Sequence, residues 1–250
     1  MAKMTPTDHV PIRGGSQARF FATRWSMVLA AGDWRAGSTA RRAMDELARL
    51  YWFPLYAYLR RRGNSPVAAE DLVQGFFTHL LAKDALASVD RTKGKFRSFL
   101  LAALQNYLAN VWDQQHAVKR GGDHTMLALD TMDAETRYAL EPVDTMTPER
   151  VYERRWALAV LEQVLVRLRG DYQQRGQGEL FTVLEPVLVG GAGTGYADLA
   201  TQLGMTEAAV KVAAHRLRRR YRELLRAEVA QTVAEPDLVE AELRELLASL

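Results

Sequence analysis

Residues 196–207 read Tyr196-Ala-Asp-Leu-Ala-Thr-Gln-Leu203, then Gly204-Met-Thr206, then Glu207. The first eight residues suit a short amphipathic helix, Gly204 permits a sharp turn because it lacks a Cβ, and Thr206 can cap a second helix running past Tyr221. At roughly 100° per residue, Val210, Ala213, Leu217, Tyr221 and Leu224 share one side of that second helix. Ala208, Lys211, Val212, His215, Arg219 and Arg222 share the other. A basic face therefore opposes a core face, which is helix-turn-helix grammar. In such a unit the first turn of the second helix enters the major groove. Thr206, Glu207, Ala208 and Lys211 would then meet base edges while the arginines further along hold phosphates. A plain hairpin of two helices with a solvated basic side fits the same pattern.

Working outward, the helical period continues almost everywhere, and no sustained apolar/polar alternation marks a sheet, so the chain is expected to be all-α. Ser65-Pro66 is a helix start, with Glu70 and Asp71 favouring the N-terminal dipole, and that helix should run to about Lys83. Another should start near Phe96, with Leu100, Ala103, Leu104, Tyr107 and Val111 on its core face and Arg97, Gln105, Trp112 and His116 on the other. Gly121 to Met146 lacks a period and reads as a linker between two helical domains, 20–120 and 147–232. Thr147-Pro148-Glu149 opens a long helix expected to end near Gly170. Residues 1–19 should be a flexible tail. Gly190 to Gly195 reads as a loop, since no phosphate-binding Lys-Ser/Thr motif follows it. In the final segment, 233–250, Pro236 can start an amphipathic helix with Val239, Leu243, Leu246 and Leu250 in one stripe. Glu240, Glu242 and Glu245 would lie opposite, as a brace or as a shield for the basic recognition helix.

Charge is distributed in blocks. Residues 91–120 carry six Lys/Arg against one Asp, and 121–150 carry two Arg against seven acids. Residues 196–232 carry seven Lys/Arg against four acids, and 233–250 one Arg against five. Two basic segments flanking an acidic connector suit two surfaces for a polyanion, although ordinary solvated helix faces give the same blocks. The chain has 250 residues and no cysteine, so a disulfide framework and a thiol nucleophile are excluded. His9, His79, His116, His124 and His215 lack metal-ligand spacing, and no Gly-x-Ser-x-Gly motif occurs. Neither an enzyme nor a cofactor is expected. Without a signal peptide or an apolar run long enough for a membrane span, the expected location is the cytoplasm.

Three stretches together resemble the extracytoplasmic-function sigma factors of bacterial RNA polymerase, over about two thirds of the chain. Tyr196-Ala-Asp-Leu-Ala, Leu203-Gly-Met-Thr-Glu, Val210-Lys211 and His215-Arg216 look like the fourth sigma domain, which reads the minus-thirty-five promoter element. Ala69-Glu-Asp-Leu-Val-Gln74, Phe76-Phe77 and Leu80-Leu81 are similar to the helix of the second sigma domain that docks on the polymerase clamp. Phe96-Arg97-Ser-Phe99-Leu100 with Asn106, ending in Lys119-Arg120, resembles the helix that engages the melted minus-ten element. The resemblance implies core RNA polymerase and promoter DNA as partners and allows an anti-sigma factor as a third.

Chemistry gives each assignment a reason. Holding a melted strand takes cations along its backbone and a flat group for an unstacked base. Arg91, Lys93, Lys95 and Arg97 can supply the charge and Trp112 the flat face, unless its indole is a core residue. Clamp docking takes polar contacts from Asp71 and Gln74 and apolar ones from Leu72 and Phe76, although this pair at i, i+4 also fits a core. The chain departs from the family where Gly75 replaces a common acid and where Val212-Ala213 replaces a usual Ser-Arg pair. Its connector is also longer, and its acidity suits either a strand threading a basic polymerase channel or a plain tether. A helix-turn-helix regulator independent of polymerase is the alternative function.

Overall fold

The computed structural model describes residues 38–82, 95–117, 134–139, 146–188, 195–233 and 235–250. The expected tail 1–19, the loop glycines before Gly195 and most of the connector lie outside them. Among the described residues every regular element is helical: α1 Ser38–Arg61, α2 Pro66–Ala82, α3 Phe96–Ala117, α4 Ala134–Ala139, α5 Pro148–Gln174, α6 Gly178–Leu184, α7 Tyr196–Leu203, α8 Glu207–Ala230 and α9 Val239–Ala248. Short 3-10 turns, Glu185–Val187 and Pro236–Leu238, lead out of α6 and into α9. No described helix is long and apolar enough to cross a membrane.

The expected starts are present. Ser65 Oγ accepts the Ala68 N–H at 3.2 Å ahead of Pro66, and Thr147 Oγ1 accepts the Arg150 N–H at 3.3 Å ahead of Pro148. In each case the hydroxyl satisfies a donor that the first helical turn leaves free. The end of α5 differs from expectation. Gly170 lies inside the helix, because Val164, Leu168 and Tyr172 continue the buried stripe past it. The chain turns only at Gly176, whose φ of 70° is the left-handed conformation that ends helices.

α5 is the spine. Arg61 Nε donates to the Met146 carbonyl at 2.9 Å, which brings the C-terminus of α1 to the start of α5. Further along, Asp171 accepts from Arg220 at 2.7 Å and Arg167 approaches Glu228 at 3.9 Å, so α8 runs antiparallel to α5. Tyr51, Phe76, Leu104, Trp156, Phe181, Leu217 and Leu246, drawn from both expected helical domains, belong to one buried apolar cluster. Each large side chain buried there contributes about 1.5 to 3 kcal/mol. The reason is the length of α5, whose 27 residues at about 1.5 Å each reach both sets of helices.

The connector is more than a tether where it is described. Within it α4 forms and buries Ala134, and Glu135 takes a bidentate pair of bonds from Arg60, 3.0 Å from Nε and 2.7 Å from Nη2. The Tyr56 hydroxyl donates to the same carboxylate at 2.6 Å. Arg60 holds the Glu135 carboxyl below its ordinary pKa, while burial and the adjacent carboxylate push the Tyr56 phenol upward. Asp130 and Asp133 lie outside the described residues.

Candidate nucleic-acid interface

α7 and α8 meet through the turn that the sequence marks. Gly204 has φ 61°, and the Met205 N–H returns to the Ala200 carbonyl at 3.0 Å. Thr206 Oγ1 then accepts the Ala209 N–H at 3.2 Å and starts α8. Val210, Leu217 and Leu224 are buried, with Ala214 between them, and Ala213 and Tyr221 are half-buried. Ala208, Lys211, Val212, His215, Arg216, Arg219 and Arg222 are exposed, as are Thr206 and Glu207. Every residue expected to face duplex DNA is thus on the solvent side. Local pairs preset some of them: Lys211 Nζ lies 2.6 Å from Glu207 and 5.8 Å from the centre of the Tyr196 ring. The Glu207 carboxylate holds the lysine above its ordinary pKa, so Lys211 carries a full charge on this surface. Arg219 stands 3.5 Å from Glu223, and Arg222 donates to the Arg218 carbonyl at 3.4 Å. Exposed ion pairs of this kind are worth at most about 1 kcal/mol and yield readily to a phosphate.

The residues expected to hold a melted strand divide. Arg91, Lys93, Lys119 and Arg120 lie outside the described residues. Asn106 and Gln105 are exposed on α3, and Trp112 is 67% exposed, so its indole is not a core residue. Arg97 contradicts its expected place on an open face: it is 5% exposed. Its guanidinium lies 4.5 Å over the Trp156 ring, and its Nη1 and Nη2 bond Glu242 and Glu245 of α9, the latter at 2.8 Å. Lys95 pairs with the same two glutamates, 2.8 Å from Glu242. The Tyr152 hydroxyl donates to the Arg97 carbonyl at 2.9 Å and fixes this end of α3 on α5. At roughly 100° per residue Arg97 falls about 20° from Leu104 and about 60° from Leu100, so it shares their buried side rather than the opposite one, and α9 covers it there.

α9 itself is turned from its expected register. Its buried residues are Val239, Glu242 and Leu246, Leu243 is half-buried, and Leu250 is 47% exposed. At roughly 100° per residue Glu242 falls about 40° from Leu246, beside the stripe rather than opposite it, and the cations that meet it there, Lys95 and Arg97, lie far earlier in the chain. Glu240 and Arg226 form a further pair that ties α9 to α8.

The set expected to dock on the polymerase also divides. Asp71 is exposed, and Leu72 and Gln74 are half-buried. Phe76 is wholly buried, with its ring centre 5.8 Å from those of both Phe77 and Tyr107, so it supports the face from within. Gly75 now has a packing reason: a Cβ there would meet the Tyr107 hydroxyl, so a larger residue would have to displace that ring from its place against α2. Asp71, Leu72, Arg62 and Asn64 line an open groove of about 720 Å³ whose other wall is Gln105, Leu108 and Trp112. Sequence reading missed the Arg62 and Asn64 edge, which follows α1 and carries no recognisable pattern.

Among the described residues no group of three or more His, Asp or Glu side chains is placed to hold a metal ion. No family model, curated protein or solved structure matches the chain.

Proposed function

We propose that this chain is a sigma factor, which binds core RNA polymerase and directs initiation at specific promoters. The observation that carries the reading is the α7–α8 pair: a tight glycine turn, a capped helix start at which Thr206, Glu207, Ala208 and Lys211 are exposed, and a row of cations opposite a buried stripe. That shape suits a helix laid in the major groove, with Thr206, Glu207, Ala208 and Lys211 toward base edges and His215, Arg216, Arg219 and Arg222 toward phosphates. The groove between α2 and α3 supports the second half of the reading. Asp71 and Gln74 offer polar contacts and Leu72 an apolar one to the clamp of the polymerase, and the exposed Trp112 offers an unstacked base a flat face. The two helical sets act as a minus-ten and a minus-thirty-five reader.

Titration of the full chain against core polymerase, followed by transcription from a promoter library, tests this. A stable complex with promoter-selective initiation is expected, weakened by Asp71→Ala with helix content intact. Duplex binding without any polymerase complex would replace this reading by that of a regulator independent of the polymerase.

A further inference from the structure

Two of the cations expected to hold a melted strand, Lys95 and Arg97, are already occupied, and by groups that imitate phosphate. Glu242 is fully buried and Glu245 is 53% exposed on its side chain, and between them they engage Lys95 and Arg97 at the N-terminus of α3. We propose that α9 is an intramolecular cover, a carboxylate mimic of the nucleic-acid backbone that must leave Lys95 and Arg97 before a single strand can bind there. The proposal rests on the reading of α3 as the strand-binding helix.

Three features separate a cover from a simple brace. The link from α9 to α3 is ionic: a buried carboxylate and a buried guanidinium, taken out of water at a cost that well-packed apolar residues would avoid. The carboxylates also satisfy the guanidinium incompletely, since Nη1 and Nη2 are bonded while the buried Arg97 Nε has no acceptor. A phosphate, with more oxygens and the same charge sign, can serve this cluster and the positive end of the α3 dipole equally well. Finally, α9 is a short element of ten residues at the end of the described chain, with Leu247 and Leu250 left exposed. Its apolar anchorage rests on Val239, Leu246 and half of Leu243, so the pairs with Lys95 and Arg97 carry much of its hold on α3, while the Glu240–Arg226 pair keeps it beside α8.

The test uses the full chain and a fluorescent single-stranded oligonucleotide, with anisotropy read at several salt concentrations. Glu242→Gln with Glu245→Gln should bind roughly tenfold tighter than the parent at low salt. The salt slope should steepen by about 0.7 for each cation released. Unchanged affinity and slope in the folded variant would overturn the cover. If the double variant fails to fold, Glu245→Gln alone carries the test, because Glu245 is half exposed and its loss strands no buried charge. A second readout measures the motion itself. The chain has no cysteine, so dyes on Ser98→Cys and Leu247→Cys, both exposed positions, label α3 and α9 uniquely. Their separation should grow on adding oligonucleotide, and a constant separation at saturation would overturn the proposal. Promoter-specific initiation with no change in strand affinity would sink the cover and leave the sigma reading intact. Tighter strand binding without a polymerase complex would do the reverse.

Discussion

The two basic regions of this chain are both rich in Lys and Arg and have opposite fates. On α8, Lys211, His215, Arg219 and Arg222 stand in solvent, and the ion pairs of Lys211 and Arg219 are with neighbours one helical turn away. On α3, Lys95 and Arg97 are covered by a helix whose glutamates lie some 145 to 150 positions later. Helix periodicity sets Arg97 beside Leu104, on the side that packs, but which partner meets its charge there is a tertiary fact. The contrast has an energetic side as well. The α8 pairs are exposed and worth little to stability, whereas the Arg97–Glu242 pair is buried and punishes the loss of either partner.

The largest expected effect follows from that asymmetry. Arg97→Ala leaves the buried Glu242 carboxylate facing Lys95 alone and opens space over Trp156, so stability should fall by about 3 to 5 kcal/mol. Arg219→Ala, removing an exposed side chain, should stay within about 0.5 kcal/mol of the parent. Urea unfolding of both variants checks the pair. Equal, small losses would mean that the α9 contact is as loose as the α8 face and would erase the comparison.

Acid should separate the regions next. Lys95, and after it Arg97, holds the Glu245 carboxyl below its ordinary pKa, with Glu242 as the neighbouring carboxylate on α9. A depressed carboxylate pKa adds stability that is complete above the ordinary carboxylate range and disappears as pH falls through the folded value. Glu135 has the same sign, through Arg60. Lowering pH through this range should therefore free α9 from α3 and α4 from α1 while α7 and α8 remain folded. Hydrogen exchange followed element by element reads this directly. Glu245→Gln should flatten the pH dependence of α9, and protection lost from α8 at the same pH as from α9 would contradict the assignment.

Much of this architecture is legible from residues close in sequence. Ser65, Thr147 and Thr206 announce helix starts because their hydroxyls cap amides only three positions ahead, and all three do so. The α8 faces follow from one period and one turn. What is not legible depends on distant partners. Gly170 resembles a helix end until Tyr172 is seen to pack on Phe181, with ring centres 5.7 Å apart. Phe76 suits a surface or a core equally well until Tyr107 arrives against it. Trp112 is the converse, an aromatic residue that the helix leaves in solvent. Gly75 looks like a helix defect from composition, and only the approach of Tyr107 explains it.

The smallest expected effect concerns function on the open face and leaves stability untouched. Lys211 lies in the first turn of α8 beside Glu207, where a groove-bound helix meets base edges, while Arg219 lies two turns further along, where it meets the backbone. Lys211→Ala should cost about 1 to 3 kcal/mol on a preferred duplex and relax the preference at one base position. Arg219→Ala should weaken preferred and random duplexes alike and reduce the salt slope by about one unit. Breaking the Lys211–Glu207 pair contributes little to either result, because solvent screens an exposed pair one turn apart. Duplex titrations of both variants at three salt concentrations distinguish a base reader from a phosphate anchor. If the two behave identically on preferred and random sequences, α8 is an electrostatic surface without a reading end, and the contrast with α3 reduces to exposure alone.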